Sequence, residues 1–241
     1  MTGGKRVSVC LVAYNGEKYI SEQISSILTQ LTNNDELIIS DDGSTDLTFK
    51  IISEYEKDER VRVVKGPGKG VIANVSSALR YAGGKYIFLS DQDDIWEPGK
   101  VEKVLGEFTR TNASLVIHDA VLVDSDNSKI IAPSFFEIKK CRSGFIRNII
   151  KNSYIGCCMA FRREMLDKIL PIPTDIKMHD QWIGLVCEKK SDGFGKPVFL
   201  KDKLIRYRRH EGNQTDLTHD PLLKMIRFRL ILFFRLIQRG I

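Results

Sequence analysis

The feature that most constrains the fold is an alternation, over roughly the first hundred residues, of short apolar runs and segments with helical periodicity. Segments whose apolar residues recur at helical spacing separate the runs. Strand–helix repeats that all run in one direction predict parallel strands joined by right-handed crossovers. We therefore predict a Rossmann-like α/β fold with a mainly parallel central sheet and flanking helices. The predicted strands are 7–13, 36–40, 61–65 and 86–90, and the predicted helices cover 18–31, 47–55 and 71–79.

The pattern is less regular after Pro98. Residues 115–118 predict another core strand, and 121–123 with 129–131 predict a hairpin around an Asp-Asn turn. Residues 159–170 mix the end of a strand with a helix. A chain of 241 residues is long enough for one large α/β domain.

Composition excludes few functions. The net charge of +6 suits nucleic acid, anionic lipid or phosphorylated ligands, and does not choose among them. The basic C-terminal segment lacks interleaved stacking aromatics on a recognised binding platform, which argues against nucleic acid as a partner. Five cysteines without CxxC spacing predict reduced, mostly buried thiols. The sequence shows neither a signal-peptide pattern nor a bilayer-spanning apolar run, so a cytoplasmic location is expected.

Three carboxylates crowd the end of the fourth predicted strand, at Asp91, Asp93 and Asp94. Two carboxylates about 4 Å apart repel by about 4 kcal/mol at an effective dielectric near 20. A solvated turn is one explanation. However, ligands bind at the carboxyl ends of the strands in open α/β sheets, and hard oxygen donors suit Mg²⁺ or Mn²⁺ bridging to a phosphate. The nearby Gly66-Pro67-Gly68-Lys69-Gly70 loop lacks the spacing of a Walker motif, which argues against an NTPase.

Three strand-end motifs in this order resemble family-2 glycosyltransferases of the GT-A fold. They are Ala13-Tyr14-Asn15, the run DDGSTD at 41–46, and DQDD at 91–94, which is similar to that family's DXD motif. The resemblance continues through MHDQW at 178–182 and YRRHEGN at 207–213, where it is most similar to the bacterial rhamnosyltransferase branch.

The resemblance implies a metal-dependent inverting glycosyltransferase that moves a sugar from a nucleotide-sugar donor to a glycan or lipid-linked glycan in bacterial cell-surface polysaccharide synthesis. The implied donor is dTDP-rhamnose. A UDP-hexose donor and a noncatalytic nucleotide-sugar-binding protein remain alternatives. We expect one GT-A domain over 1–220, with a nucleotide-binding part at about 1–100 and an acceptor part at about 101–220, followed by a separate helix at 221–241.

The resemblance also assigns donor-site residues. Tyr14 is expected beside the pyrimidine, and Asp42, with Asp41 as the alternative, is expected to accept the N3–H that uracil and thymine share. Asp91 is expected to hold the ribose or a metal-bound water. The remaining nucleotide-binding candidates are Lys69 and Asn74.

Metal and catalytic residues follow from the same motifs. Asp93 is expected to be the leading ligand for Mg²⁺ or Mn²⁺ and Asp94 the second. His210 is expected to complete the metal shell or contact the diphosphate, with a solvated basic loop as the alternative. Asp180 takes the place of the catalytic base; because a helix N-terminus stabilises a carboxylate, we expect it to stay ionised. Trp182 is either an apolar wall for the acceptor or part of the core. The role of His179 stays open.

The last segment predicts a basic amphipathic helix. Such a helix is typical of an interface with anionic lipid, which implies peripheral association with the inner face of the cell membrane. Packing on the domain or against a second subunit are the alternatives, and the sequence does not give the oligomeric state. The basic side carries Lys224, Arg227, Arg235 and Arg239, and the apolar side carries Leu223, Ile226, Leu230, Phe233 and Ile237.

Overall fold

The computed structural model describes residues 4–191, 193–210 and 221–241. Within these ranges, nine strands form a single sheet. The strands are β1 (Val7–Ala13), β2 (Asp35–Asp41), β3 (Val61–Lys65), β4 (Tyr86–Asp91), β5 (Ile95–Trp96), β6 (Leu115–Val123), β7 (Ile130–Ala132), β8 (Met159–Arg162) and β9 (Val198–Arg208). The α-helices described are α1 (Ile20–Leu28), α2 (Thr48–Glu54), α3 (Val71–Leu79), α4 (Lys100–Thr111), α5 (Phe135–Lys139), α6 (Phe145–Ile150), α7 (Leu166–Ile169), α8 (His179–Lys189) and α9 (Leu222–Gln238).

The first half of the sheet is parallel, as the alternating pattern predicts. β1 lies between β2 and β4, and β3 borders β2. All seven residues of β1 are buried, because helices cover both faces of a central parallel strand. The register places Ala13 opposite Asp41 and Val12 opposite Asp91. The motifs that follow β1, β2 and β4 therefore lie at one edge.

The second half adds antiparallel strands. β8 runs antiparallel between β4 and β6, while β9 pairs parallel with β6 and antiparallel with β5. The predicted hairpin is confirmed by the pairing of Leu122 with Ala132 and of Val123 with Ile130. Residues 115–123 form one strand instead of two, because β6 stays paired with β9 through register shifts at His118 and Asp119.

The five cysteines are free thiols, as predicted, and all but Cys141 are buried. No helix among the described residues is long and apolar enough to cross a bilayer.

Helix α9 packs on the domain through one face and leaves another uncovered by the residues described. Leu232 and Leu236 are 3% and 1% exposed and join the main hydrophobic core. Arg235 pairs with Asp175 at 2.7 Å, and Arg239 donates to the carbonyl of Lys168 at 2.7 Å. The predicted apolar side points outward: the exposed fraction is 82% at Leu223 and between 42 and 51% at Ile226, Leu230, Phe233 and Ile237.

Candidate functional site

The ends of β1 and β4 are joined by the side chain of Gln92. Its amide accepts from the backbone N–H of Tyr14 at 2.8 Å and donates to the carbonyl of Tyr14 at 2.9 Å. The Tyr14 side chain is left 53% exposed at the sheet edge. This position suits the predicted role beside a planar base, since the ring is accessible while its backbone is fixed.

The glycine-rich loop after β3 wraps around the carboxylate of Asp42. Oδ1 accepts from the N–H of Gly68 at 2.8 Å, and Oδ2 accepts from the N–H of Gly70 at 2.7 Å. Both glycines have positive φ, which lets the loop turn its N–H groups inward. Asp42 is 8% exposed and thereby held in place, and Lys69 is exposed on the same loop.

Asp41 and Asn74 stabilise the carboxyl end of β2 and the turn after it through hydrogen bonds. Asp41 accepts from the N–H of Ser44 at 3.1 Å and from its hydroxyl. Asn74 is 2% exposed; its amide accepts from the Ser40 hydroxyl at 2.6 Å and donates to the Ser40 carbonyl at 2.9 Å. The side chain of Asn74 is therefore occupied by the backbone and hydroxyl of Ser40, and its position supports the end of β2.

The acidic run folds into two separate groups. In the first, one ligand atom each from Asp91, Asp94 and Cys157 lie within 4.8 Å of one another. Asp94 is 0% exposed; its Oδ1 accepts from the N–H of Arg208 at 3.2 Å, while no described residue hydrogen-bonds its Oδ2. Burial, then the charge of Asp93, raises the pKa of Asp91 to about 7. Burial and the neighbouring Asp93 and Asp91 likewise hold the pKa of Asp94 well above its usual value.

In the second group, Oδ2 of Asp93 lies 2.8 Å from Nε2 of His210. Arg208 supports this pair: its Nε donates to the carbonyl of Asp93 at 2.9 Å, and its other nitrogens reach Ser125 and Glu22. Two of the three side chains that the resemblance assigns to the metal shell, Asp93 and His210, are therefore neighbours although 117 residues apart, whereas the third, Asp94, belongs to the first group. The rest of the C-terminal motif, 211–213, lies outside the described residues.

Sequence reasoning missed two buried groups beside these acids, Lys100 and Cys157. Nζ of Lys100 donates to the carbonyl of Cys157 at 3.0 Å and lies 3.9 Å from the centre of the Trp96 ring. Burial lowers the pKa of Lys100 to about 8. A lysine at the first position of α4 was visible in the sequence, but only the fold brings Cys157 to the end of β4.

Asp180 lies in the first turn of α8, as predicted, and is 7% exposed. Its Oδ1 accepts from the N–H of Gln181 at 2.5 Å and from the amide of Asn152 at 3.2 Å. The expectation that the helix N-terminus keeps this carboxylate fully ionised is wrong for the protein without bound ligands. Burial outweighs these hydrogen bonds and raises the pKa of Asp180 to about 7, so the carboxylate is only partly ionised near neutral pH. The charge of Asp180 also raises the pKa of Asp91, and Asp180 accepts a hydrogen bond from the backbone of Gly156, the residue before Cys157, so Asp180 lies near the first acidic group.

The neighbours of Asp180 on α8 point elsewhere. Trp182 is 1% exposed, and its indole donates to the carbonyl of Ile169 at 2.9 Å. Trp182 is therefore part of the hydrophobic core. The alternative prediction, that its ring forms an apolar wall for the acceptor, is wrong because the ring has no accessible face. His179 packs so close to Gly156 that a Cβ there would lie 2.9 Å from its Nε2. Burial lowers the pKa of His179 to about 4 and keeps it neutral.

The first acidic group fits a divalent cation. The buried Oδ2 of Asp94 lacks a hydrogen-bond donor among the described residues, and a buried oxygen of this kind is costly unless something positive meets it. The pKa values of Asp91 and Asp94 are raised first by burial and then by the neighbouring carboxylates, and a bound cation would offset both effects. Carboxylate oxygens suit Mg²⁺ and Mn²⁺.

Comparison with known families identifies the chain. Residues 8–170 match the family model described as glycosyl transferase family 2, and this span covers β1 through α7 with every strand-end motif described above. The chain belongs to this family. Among relatives of the family-2 chain is the UDP-Glc:alpha-D-GlcNAc-diphosphoundecaprenol beta-1,3-glucosyltransferase WfgD of Escherichia coli, 33% identical over 155 residues that cover 63% of the chain and 57% of WfgD. Chondroitin synthase of E. coli is 41% identical over 105 residues, which cover 43% of the chain and 15% of that protein.

Solved structures confirm the GT-A-like fold of this family member. TarS of S. aureus, residues 1–349, solved in complex with UDP-GlcNAc, superposes with a TM-score of 0.71 at 20% identity, covering 95% of the chain and 66% of TarS. The mannosyltransferase PcManGT of Pyrobaculum calidifontis, in complex with GDP-Man and Mn²⁺, gives 0.60 at 20% identity, covering 84% and 56%. The chain spans less than two thirds of the length of these proteins.

Proposed function

We propose that the chain is a metal-dependent, inverting glycosyltransferase that uses a nucleotide-sugar donor in the synthesis of a cell-surface polysaccharide. The observation that carries the proposal is the convergence at one sheet edge of an accessible Tyr14, a fixed Asp42, the acidic groups at 91–94 and Asp180. A noncatalytic nucleotide-sugar-binding protein would not need a buried carboxylate facing the acidic group, so we favour an enzyme.

In this proposal the nucleoside lies between the ends of β1 and β2. The exposed Tyr14 ring packs on the pyrimidine, and Asp42 accepts the N3–H of the base through a lone pair that its glycine loop leaves available. Asp41 is the alternative acceptor. Lys69, exposed on the same loop, supplies a positive charge near the nucleotide.

Asp91, Asp93, Asp94 and His210 are the residues proposed to hold Mg²⁺ or Mn²⁺ and the ribose. When bound, the cation neutralises the leaving diphosphate. The solved complex of PcManGT with GDP-Man and Mn²⁺ supports this chemistry for the fold. Arg208 holds Asp93 in place by donating to its carbonyl, and Lys100 holds the carbonyl of Cys157 beside the first acidic group.

Asp180 is the proposed general base. Its carboxylate accepts the proton of an acceptor hydroxyl, which then attacks the anomeric carbon on the face opposite the leaving group, so a single displacement inverts that centre. A pKa of about 7 suits this role, since a base is most effective when its pKa lies near the working pH. Asn152 and the N–H of Gln181 orient the carboxylate.

Two donors remain candidates. The name of WfgD and the TarS complex favour a UDP-sugar, whereas dTDP-rhamnose rests on the C-terminal motif, part of which lies outside the described residues. The proposed contact of Asp42 does not distinguish these donors, because uracil and thymine both carry the N3–H group that it would accept. The name of WfgD also supports a lipid-linked acceptor.

A lipid-linked acceptor gives the outward face of α9 a role. We propose that it lies on anionic membrane at the cytoplasmic face of the cell. Its exposed apolar residues Leu230 and Phe233 would enter the interface, with Arg227 and Arg229 on either flank of this stripe.

Turnover of a donor panel tests the proposal. UDP- and dTDP-sugars are incubated with the protein, with and without Mn²⁺, and with lipid-diphosphate glycan acceptors supplied. We expect Mn²⁺-dependent release of nucleoside diphosphate from at least one donor. Tight nucleotide-sugar binding without hydrolysis or transfer would favour the noncatalytic alternative.

A further inference from the structure

The unexpected member of the first acidic group is a thiol. Cys157 is 1% exposed and presents its Sγ within 4.8 Å of a carboxylate oxygen of both Asp91 and Asp94. It is the middle residue of a short 3₁₀ turn, Gly156–Cys158, which leads into β8. Because β8 pairs with β4, this turn is held beside the strand that ends at Asp91.

The position of Cys157 is fixed by contacts on its backbone. Nζ of Lys100 donates to the carbonyl of Cys157 at 3.0 Å and lies 3.9 Å from the centre of the Trp96 ring. The thiol is thus presented to the acidic group by a rigid turn.

A separate observation indicates that the group is built for a ligand. Oδ2 of Asp94 is buried and has no hydrogen-bond partner among residues that the structure describes, although thiol and carboxylate lie close together. Asp91 is partly exposed, whereas Asp94 and Cys157 are buried. One oxygen from each of Asp91 and Asp94, together with the sulfur of Cys157, makes a mixed donor set.

We propose that the sulfur of Cys157 is a metal ligand, together with Asp91 and Asp94, so that the site takes thiophilic divalent cations such as Co²⁺, Zn²⁺ or Cd²⁺ as well as Mn²⁺. The inference rests on the metal site of the proposed function and adds a donor to it. On binding, the S–H bond of Cys157 and any carboxyl O–H bond at Asp91 or Asp94 break, metal–sulfur and metal–oxygen bonds form, and the released protons pass to the buffer. Two carboxylates and one thiolate are then balanced by the Lys100 ammonium and a divalent cation.

The test is a Co²⁺ titration followed by absorption spectroscopy, with UDP present and absent. We expect the wild type to develop a near-ultraviolet sulfur-to-cobalt charge-transfer band. Cys157→Ser should lose this band, and Cys187→Ser, which removes a buried thiol outside the group, should keep it. Cys157→Ser should also weaken Cd²⁺ binding by about tenfold or more while changing Mn²⁺ binding much less, because thiolate prefers soft metals.

Cadmium NMR of the wild type needs no variant and guards against a Cys157→Ser chain that does not fold. A downfield resonance typical of sulfur ligation is expected. The inference is overturned if Co²⁺ fails to bind with or without UDP, if it binds without the band, if the band survives in Cys157→Ser, or if cadmium shows only oxygen ligation. Mn²⁺-dependent donor turnover would persist in each of those cases if the proposed function is right, so the two failures are distinguishable.

Discussion

The pH dependence of glycosyl transfer follows from the burial of Asp180. With a pKa of about 7, the carboxylate is about 9% ionised at pH 6 and about 91% ionised at pH 8. A base acts only when it is deprotonated, so kcat/KM should rise about tenfold between these pH values. Because kcat/KM reports the free enzyme, the profile should be measured at donor concentrations well below KM, with nucleoside diphosphate release as the readout.

Variants identify the titrating group in this profile. Asp180→Asn should lower transfer by about 10²-fold or more, the scale of losing a general base, and abolish the rise, with donor binding near normal. Asn152→Ala removes a hydrogen bond that lowers the Asp180 pKa, so it should move the rise to higher pH. Asp175→Asn, which alters only an exposed pair with Arg235, is the matched control and should follow the wild type. A flat wild-type profile between pH 6 and 8, or a rise that persists in Asp180→Asn, would refute the assignment.

Three further predictions concern stability and the membrane. Because the pKa of Asp91 is raised to about 7, the native state holds a proton between pH 4 and 7 that the unfolded chain has lost. Without metal, this one group should lower the free energy of unfolding by up to about 1.4 kcal/mol for each unit of pH increase, in addition to the fall caused by Asp180, whose pKa is also about 7. Chemical denaturation of Asp91→Asn should lack the Asp91 contribution and show a smaller fall. Leu236→Ala should cost about 2–5 kcal/mol in the same assay, whereas Phe233→Ala, on the outward face of α9, should cost about 0.5 kcal/mol or less. Flotation with liposomes should need anionic lipid, weaken with salt and be reduced by Phe233→Glu; flotation that is equal on neutral liposomes or unchanged by Phe233→Glu would contradict membrane docking.

The sequence predicts the part of the site that depends on periodicity. Apolar runs of the right length place Tyr14, Asp42 and Asp91 at strand ends, and parallel pairing then brings those ends to one edge, as the register of β1 with β2 and β4 confirms. The position of Asp180 in the first turn of a helix was predictable from the motif for the same local reason.

What depends on tertiary packing could not be predicted. The pKa of Asp180 is set by burial that no neighbouring residue in the sequence reveals, and Trp182 lies in the core because α7 covers it through Ile169. Cys157 reaches the acids only through the pairing of β8 with β4. The amphipathic pattern of α9 predicts an apolar side but does not tell whether that side faces the domain or solvent. In the structure Leu232 and Leu236, which lie on another side of the helix, pack against the domain.

The central claim is that the acids after β4 form the metal-dependent centre of a glycosyltransferase. The most direct measurement is Mn²⁺-dependent release of nucleoside diphosphate from the best donor by the wild type, by Asp93→Asn and by Asp126→Asn. Asp126 is an exposed acid whose contacts with described residues include an ion pair with Lys18 and a hydrogen bond from the Ser125 hydroxyl. We expect the wild type and Asp126→Asn to release nucleoside diphosphate only when Mn²⁺ is present. A folded Asp93→Asn protein should release no nucleoside diphosphate. Turnover by Asp93→Asn at the wild-type rate would contradict it.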